Sequence, residues 1–294
     1  MVATDDRPML NGSPRVDLLI VGGLTVDHFG KRSAAGGSVL HATRAAVHAA
    51  LRLAALTAAD GEPDALAGLA EISAAGQLLR QPAETTIGFA HRETSAGRVL
   101  TFEAAGTPLT VDAAQIDALE PAAVLLAPVA GEIDASSVAG SAGSTWHPLR
   151  AAILQGWLRV LELGTVVRPL PLAGLSPGLV TALGELALLV ASREDLEADA
   201  SDPQAQLEAL RSAVGPGPIL VVTDGVEGAW FSAREGTGHV PVPFRVDRVP
   251  TVGAGDAYAA ILAVRLSAAR APLRDAMANA ALAAAEILAA RRGG

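Results

Sequence analysis

The sequence contains no cysteine. This absence excludes disulfide bonds, thiolate metal sites and a cysteine nucleophile, and because it fits a reducing compartment we expect a cytoplasmic location. No secretory signal opens the chain, and no apolar run reaches the roughly 18 residues that a membrane-spanning helix needs. A membrane is therefore not an expected partner.

Aromatic residues and lysine are also scarce. Aromatic side chains make up 3% of a sequence that is 50% hydrophobic, so the core has to be built mainly from alanine, leucine and valine. Such a core suits helices that pack closely on a sheet. Lys31 is the one lysine, and the net charge is -9. Because nucleic-acid affinity comes largely from clustered lysine and arginine, we expect no nucleic-acid partner.

The order of apolar runs and turns predicts a single α/β domain behind a short leader. Residues 1–15 are polar and contain glycine and proline, which is typical of a flexible leader, and residues 16–294 form the domain. Residues 16–21 have the pattern of a buried strand, and residues 36–72 that of a helix, a strand near 53–58 and a second helix. Such alternation is typical of a parallel sheet.

Residues 85–103 interrupt this alternation. β-Branched and aromatic residues cluster there around the segment TSAGR, a pattern that predicts two strands joined by a hairpin turn. We expect the pair to form a small antiparallel flap on the α/β body. Farther along, residues 218–233 predict two strands joined by a turn, and residues 272–292 predict a final alanine-rich helix.

The segment VGAGD at residues 252–256 has the composition of an anion-binding turn. Gly253 and Gly255 let the backbone approach a ligand closely, and the first amides of the following helix point outward without partners. Asp256 could then accept a proton from an attacking hydroxyl, an arrangement that suits phosphoryl transfer. The alternative is that Asp256 only caps the helix and complements its dipole.

Two other phosphate-binding motifs do not match. A P-loop requires serine or threonine directly after its lysine, and Lys31 is followed by arginine. A dinucleotide fingerprint requires a third glycine after Gly253 and Gly255, but that place is taken by Tyr258. The segment GAGD is therefore the phosphate-binding candidate.

The segment TVGAGDAYAA strongly resembles the C-terminal signature of the ribokinase-like (PfkB) carbohydrate kinases. VGGLTVD resembles the family's first strand, where an aspartate that binds acceptor hydroxyls follows a glycine by five residues, here Asp27 after Gly22. GGSVLHATRAAV resembles the N-terminal signature, with Gly36, Gly37 and, in place of the usual asparagine, His41. The resemblance implies that these residues bind the acceptor.

Further segments resemble the donor side of the family's site. VASREDLEA stands where the family has an Asn-X-X-Glu motif that organises magnesium and phosphate, and VVTDGVEGAWF matches its nucleotide-binding strand-turn-strand. The resemblance implies ATP and Mg²⁺ as cofactors, with Asp195 reaching the metal through water. The residues implied to bind the nucleotide are Ser192, Asp195, Thr223, Asp224, Gly225, Gly228 and Asn279.

The resemblance also implies the architecture. It is an α/β fold, the ribokinase-like three-layer sandwich, with a mainly parallel central sheet and a small β lid over the acceptor. The lid is expected to comprise about residues 28–36 and 84–104. A short lid can pair with the lid of a second chain, so a homodimer is a possible assembly.

The reaction that the resemblance implies is transfer of the γ-phosphate of ATP to a hydroxyl of a sugar, cyclitol or nucleoside. Asp256 would be the general base, and the amides of Gly253, Ala254, Gly255 and Asp256 would form the anion hole. The alternative is a non-catalytic member of the same fold, which binds a sugar or nucleotide without transferring phosphate.

Several positions depart from the family pattern. Pro250 replaces the aspartate that opens the signature and helps to set a monovalent-cation site, so activation by such a cation is in doubt. Ser192 and Asp195 replace asparagine and glutamate and shorten the reach to a metal, which argues for weaker activity rather than none. The family pattern does not explain the segment QGWLR, where we expect Trp157 in the core and Arg159 at the surface.

Overall fold

The computed structural model describes residues 15–94, 97–140, 144–197, 199–246, 249–268 and 271–291, and the predicted leader lies outside them except for its last residue. The strands are β1 (Val16–Gly22), β2 (Thr25–Phe29), β3 (Arg32–Gly36), β4 (Leu53–Ala59), β5 (Gln77–Pro82), β6 (Ile87–Thr94), β7 (Gly97–Ala104), β8 (Pro121–Ala127), β9 (Leu149–Ile153), β10 (Arg159–Val160), β11 (Arg168–Pro169), β12 (Leu188–Ser192), β13 (Ile219–Thr223), β14 (Ala229–Ala233) and β15 (Gly236–Val240). The helices are α1 (Ser38–His48), α2 (Pro63–Ala75), α3 (Ala113–Leu119), α4 (Ala135–Gly140), α5 (Pro177–Gly184), α6 (Pro203–Val214), α7 (Ala254–Ala268) and α8 (Leu273–Ala290).

One large sheet runs through the fold in the order β15-β14-β13-β12-β9-β8-β1-β4-β5. Its strands from β13 to β5 are parallel to their neighbours, whereas β14 and β15 are antiparallel additions at one edge. The predicted mainly parallel central sheet is therefore confirmed. In open sheets of this kind ligands bind beyond the carboxyl ends of the strands.

Both faces of the large sheet are buried, which makes the fold a three-layer sandwich. Along β1, Leu18 and Ile20 belong to the core shared with α1, α7 and α8, whereas Leu19 and Val21 belong to the core shared with α5 and α6. Successive side chains of a strand point to opposite faces, so a strand covered on both sides becomes a continuous apolar run. The burial of both faces explains why residues 16–21, which were predicted to form a strand, are mostly apolar.

Helix α7 lies in the interior, and its small residues make this possible. Ala257, Ala259, Ala260 and Ala263 have almost no exposed surface, and the helix packs on α1, α8, β8 and β9. Alanine side chains let neighbouring elements approach closely, as the scarcity of aromatic residues predicts. Among the described helices, none has the length and apolar character that crossing a membrane requires.

A second, smaller sheet has the order β3-β2-β6-β7. The hairpin predicted within residues 85–103 is present as β6 and β7, which are antiparallel. The sheet as a whole is mixed, however, because β2 runs parallel to β6. It also begins at Thr25, before the predicted lid boundary at residue 28, so Asp27 lies on the small sheet.

The segment between β9 and α5 connects the two sheets. The loop between β10 and β11 pairs with β7: the Phe102 N–H donates to the Thr165 carbonyl (3.0 Å) and the Val167 N–H to the Leu100 carbonyl (2.8 Å). This part of the edge of β7 is therefore already paired within the chain. A homodimer joined by two lids stays a prediction, and it would have to use other backbone groups.

Candidate active site

A cleft of about 280 Å³ opens between the carboxyl edge of the large sheet, the start of α7 and the small sheet. The predicted site residues that line it are Asp27, Gly37, His41, Ser192, Asp195, Thr223, Gly225, Gly253, Ala254, Gly255 and Asp256. Those that do not line it are Gly36, Asp224, Gly228 and Asn279. A larger hollow of about 430 Å³, between α6 and the strands β14 and β15, contains none of the predicted residues.

Asp256 lies in the first turn of α7 and faces the cleft. Its side chain is buried, and among the described residues its Oδ1 atom has no hydrogen-bond partner. The helix begins at Ala254, so Asp256 is not in the N-cap position from which a carboxylate accepts helix amides. Since an unpartnered buried carboxylate oxygen is costly, its position is better explained by a ligand than by capping.

The backbone ahead of Asp256 forms a tight turn that Gly253 makes possible, with a φ angle of 80°. The Ala254 N–H donates to the Thr251 carbonyl (3.0 Å). Among the described residues, no hydrogen bond uses the amides of Gly253, Gly255 or Asp256. The predicted anion hole stays a prediction, and the amide of Ala254 is already bonded within the turn, which leaves the other three amides for an anion.

His41, on α1, lies directly against this turn. A Cβ atom on residue 253 would overlap the imidazole ring, so only glycine fits there. Burial lowers the pKa of His41, and the negative charge of Asp256 opposes this effect only in part. The ring is therefore neutral, and its buried Nδ1 atom has no hydrogen-bond partner among the described residues. In a neutral imidazole one nitrogen donates and the other accepts, so Nδ1 can form a hydrogen bond with a ligand hydroxyl.

Asp27, on β2, is the second carboxylate that faces the cleft from a buried position. The Thr25 hydroxyl donates to its Oδ1 atom (3.0 Å). A Cβ atom on Gly36 would overlap Oδ2 of this carboxylate, and one on Gly37 would overlap the Gly23 carbonyl. Gly36 therefore leaves the space that the Asp27 carboxylate occupies, and Gly37, which lines the cleft, has a φ angle of 92° that also favours glycine.

His91, on β6, lines the cleft but is not among the site residues predicted from the sequence. Its Nε2 atom lies 3.4 Å from Oδ1 of Asp27, and its ring stacks on Phe29 with centroids 4.6 Å apart. Neither ring nitrogen has a hydrogen-bond partner among the described residues. The only sequence signal was its place in the predicted flap, and that does not show which face of the strand it occupies.

The segment QGWLR confirms one expectation and corrects another. Trp157 is in the core, where its Nε1–H donates to the Ile133 carbonyl (2.7 Å). Arg159 is not a surface residue: it lines the cleft, donates from Nη1 to the Val129 carbonyl (3.0 Å) and lies 5.8 Å from the ring centre of Phe89. The physical reason is topological, since β9 lies between β8 and β12 and delivers the following residues to the middle of the cleft.

The turn after β13 forms the far end of the cleft through Thr223 and Gly225. Asp224 instead accepts a hydrogen bond from Arg193 (3.2 Å). Gly228 has a φ angle of 100°, and a Cβ atom there would overlap the Val240 carbonyl. These contacts give Asp224 and Gly228 a part in shaping the turn, and their contact with a nucleotide stays a prediction.

Asn279 lies on the exposed side of α8. Its Nδ2 atom donates to the Asp275 carbonyl of the same helix (2.7 Å). The structure therefore does not bring Asn279 together with the other predicted site residues, and its proposed contact with adenine stays a prediction.

A family model for the pfkB family carbohydrate kinases matches residues 83–293. The chain belongs to this family. It is accordingly a phosphotransferase that acts on a sugar-type hydroxyl. A search of the curated proteins gives no match.

Solved structures of ribokinase-family proteins resemble this kinase in fold. One is a pyrophosphate-dependent kinase in complex with a pyrophosphate analogue and myo-inositol, with a TM-score of 0.75, 16% identity and coverage of 92% of this chain and 95% of that one. A ribokinase from Arabidopsis thaliana in complex with ribose and ATP has a TM-score of 0.69, 14% identity and coverage of 95% and 93%. A ribokinase from Cryptococcus neoformans in complex with ADP has a TM-score of 0.69, 16% identity and coverage of 92% and 93%.

Asp195 is the residue that the sequence predicts to reach Mg²⁺, and it lines the cleft. Burial raises its pKa to about 6, and its Oδ2 atom accepts the Ser192 N–H (2.9 Å). No group of three or more metal-ligating side chains is found in the described part of the chain. One carboxylate still fits Mg²⁺, which usually binds through one or two carboxylates, several waters and the phosphates of its substrate. A bound Mg²⁺ would neutralise charge on those phosphates.

A monovalent cation does not fit the kinase in the same way. Pro250 supplies no carboxylate, and its carbonyl oxygen accepts a hydrogen bond from Nη1 of Arg291 (3.1 Å). The same nitrogen donates to the Val252 carbonyl (2.7 Å). The positively charged Arg291 side chain thus already contacts the backbone at Pro250, the residue that replaces the family's cation-site aspartate.

Proposed function

We propose that this kinase transfers the terminal phosphoryl group of ATP to a hydroxyl of a sugar, cyclitol or nucleoside, with Asp256 as general base. One observation carries the proposal: Asp256 is buried and faces the same cleft as Asp27, and within the described part of the chain neither its Oδ1 atom nor three amides of the adjacent turn have a hydrogen-bond partner. A base, an anion site and an acceptor-binding carboxylate are the parts that this reaction requires.

The acceptor would lie between Asp27 and Asp256. The Asp27 carboxylate, supported by Thr25 and close to His91, accepts hydrogen bonds from acceptor hydroxyls that do not react. His41 supplies a further hydrogen bond from the other side of the cleft. The apolar residues Phe89, Leu100 and Val129 line the cleft as well and suit the carbon faces of a sugar or cyclitol ring.

The transfer itself breaks one P–O bond and forms another. The acceptor hydroxyl gives its proton to the Asp256 carboxylate while its oxygen bonds to the terminal phosphorus. The bond from that phosphorus to the bridging oxygen breaks, and its electron pair leaves with ADP. The amides of Gly253, Gly255 and Asp256 would stabilise the charge on the phosphoryl oxygens during the transfer.

Arg159 supports this reaction by its charge. Four carboxylates line the cleft, those of Asp27, Glu194, Asp195 and Asp256, and among the described lining residues Arg159 is the only arginine or lysine. An anionic donor would be repelled by so acidic a cleft without a compensating cation. Arg159 follows β9, which lies between β8 and β12 in the large sheet, and this supports a role for its guanidinium close to the transferred group.

Pyrophosphate is a second candidate donor, and one feature of the cleft favours it. Asp195, Thr223 and the turn at Gly253, which are expected to bind phosphate, all line the cleft, whereas Asn279, expected beside adenine, is not among the lining residues. A donor without a nucleoside would need only the residues that line the cleft. One solved structure of similar fold is a pyrophosphate-dependent kinase.

The decisive experiment measures phosphate transfer from ATP and from pyrophosphate, with Mg²⁺, to a panel of sugars, inositols and nucleosides. Asp256→Asn should lower the rate at least about 100-fold, the lower limit for a lost general base, without lowering the melting temperature. The matched control is Asp275→Asn, an exposed aspartate in the first turn of α8, which should keep full activity. A fully active Asp256→Asn protein would show that the base is wrong.

The non-catalytic alternative predicts another outcome of the same panel. Ligands would raise the melting temperature of the wild-type protein, but no acceptor would be phosphorylated by either donor. The shortened side chains at Ser192 and Asp195 favour this alternative, and the intact segment from Gly253 to Asp256 opposes it.

A further inference from the structure

The side chain of Arg291 joins the end of α8 to the segment that leads into the anion-binding turn. Its Nη1 atom donates to the carbonyl oxygens of Pro250 (3.1 Å) and Val252 (2.7 Å), so two carbonyls converge on one nitrogen. Val252 directly precedes Gly253, whose amide has no hydrogen-bond partner in the described part of the chain. Arg291 therefore acts on the backbone immediately before the anion site.

Two converging carbonyl dipoles create a region of negative potential that needs a positive partner. Backbone carbonyl oxygens can coordinate K⁺, and a guanidinium offers them N–H donors together with a permanent charge. The guanidinium is covalently attached, so its occupancy does not depend on salt. A second monovalent cation bound to the same oxygens would stand beside a like charge.

We propose that Arg291 is a built-in cation that takes the place of a monovalent ion and holds the segment 250–252 in position for the anion-binding turn. Pro250 belongs to the same arrangement, because it contributes a carbonyl acceptor while offering no carboxylate to a metal ion. The role in catalysis rests on the proposed phosphotransfer, whereas the role in holding the segment does not. Arg291 is thus a positioning residue, which touches neither donor nor acceptor.

The first test compares the wild-type protein in equal concentrations of KCl, NaCl and choline chloride. We expect the same initial rates of phosphate transfer and the same melting temperature in all three salts, because the cation is part of the chain. Selective activation or stabilisation of the wild-type protein by K⁺ would overturn the proposal.

The second test uses Arg291→Met, which keeps much of the apolar stem and removes the charge. We expect kcat in choline chloride to fall roughly tenfold or more, the effect of losing charged hydrogen bonds. KCl should then raise both kcat and the melting temperature selectively, since the carbonyls are open to the ion. Arg291→Lys should be intermediate, and the control Arg265→Met, at an exposed position on α7, should resemble wild type.

These outcomes separate the inference from the proposed function. If no acceptor is phosphorylated by wild type, the proposed function fails, and the shift in melting temperature caused by pyrophosphate becomes the readout. For wild type, the pyrophosphate-induced shift in melting temperature should be the same in each salt. For Arg291→Met, the shift should be smaller in choline chloride than in KCl. If Arg291→Met gives the wild-type rate and the wild-type shift in choline chloride, the inference is wrong, whatever the status of the reaction.

Discussion

The backbone of Gly253 lies against the imidazole ring of His41, so the turn before α7 and the helix after the Gly36-Gly37 pair are in contact across the base of the cleft. Two segments that are far apart in the sequence therefore depend on each other for their shape. The contact leaves no space for a side chain on residue 253.

Alanine substitutions at Gly253 and Gly255 should separate folding from ligand approach. Gly253→Ala places a methyl group in the ring of His41 and a non-glycine residue at positive φ, which alone costs about 1–2 kcal/mol, so the free energy of unfolding should fall by at least that much. Gly255→Ala meets no atom within 4 Å, so the protein should stay as stable as wild type.

The two variants are compared by urea unfolding and by donor binding. A stable Gly255→Ala protein that binds and turns over donor normally would contradict the close approach of phosphate to this backbone. A stable Gly253→Ala protein would contradict the contact with His41.

Gly36→Ala should damage the acceptor site although residue 36 does not line the cleft. Its methyl group would displace the Asp27 carboxylate, so KM for the acceptor should rise by about 10-fold or more, as expected for a lost charged hydrogen bond. The change in KM for the donor should be small. The control is Gly61→Ala, where a methyl group meets no atom within 4 Å. Equal acceptor KM values for Gly36→Ala and wild type would show that Asp27 does not need the space left by this glycine.

The pH dependence of stability should carry a contribution from His41. Burial lowers its pKa in the folded protein below the ordinary value of about 6.5, so the unfolded chain takes up a proton first as the pH falls. The free energy of unfolding should therefore decrease below about pH 6.5, until the pKa of the folded state is reached. His41→Asn should lose this part of the decrease, whereas His48→Asn, at an exposed position on the same helix, should keep it. Parallel unfolding curves of His41→Asn and wild type across this pH range would disprove the assignment.

Removal of the charge of Arg159 should reduce transfer more than it reduces acceptor binding. For Arg159→Gln we expect a fall in kcat of roughly 100-fold, the effect of deleting one donor to a developing negative charge, and little change in the acceptor KM. Arg168→Gln is the matched control, because Arg168 is an exposed arginine on the same ladder of β10 and β11. If the two variants had equal kcat values, Arg159 would have no part in the transfer.

Local patterns were enough to predict the elements that hold the site. The buried strand at residues 16–21, the hairpin within 85–103 and the final helix all appear close to their predicted bounds, because apolar periodicity and turn residues act over short distances. Gly253 and Asp256 could be selected for the same reason, because the amides of a glycine-rich turn and the first residues of the following helix are neighbours in the sequence.

Arg159, His91 and Arg291 could not be selected in this way. Arg159 enters the cleft only because β9 is inserted between β8 and β12, an order of strands that no local pattern reveals. His91 reaches Asp27 only through the pairing of β2 with β6. Arg291 contacts the carbonyls of Pro250 and Val252 because α8 packs along α7 and ends beside the first turn of α7.

Residues that are neighbours along the chain were enough to predict the α/β class and the family and to select Asp27 and Asp256 as candidates. The folded chain was needed to show which charges line the cleft, that Asn279 is not among the lining residues and that a guanidinium contacts the Pro250 carbonyl. The physical reason is range: backbone propensities and turns are local, whereas electrostatic and packing contacts join residues that the sheet order brings together.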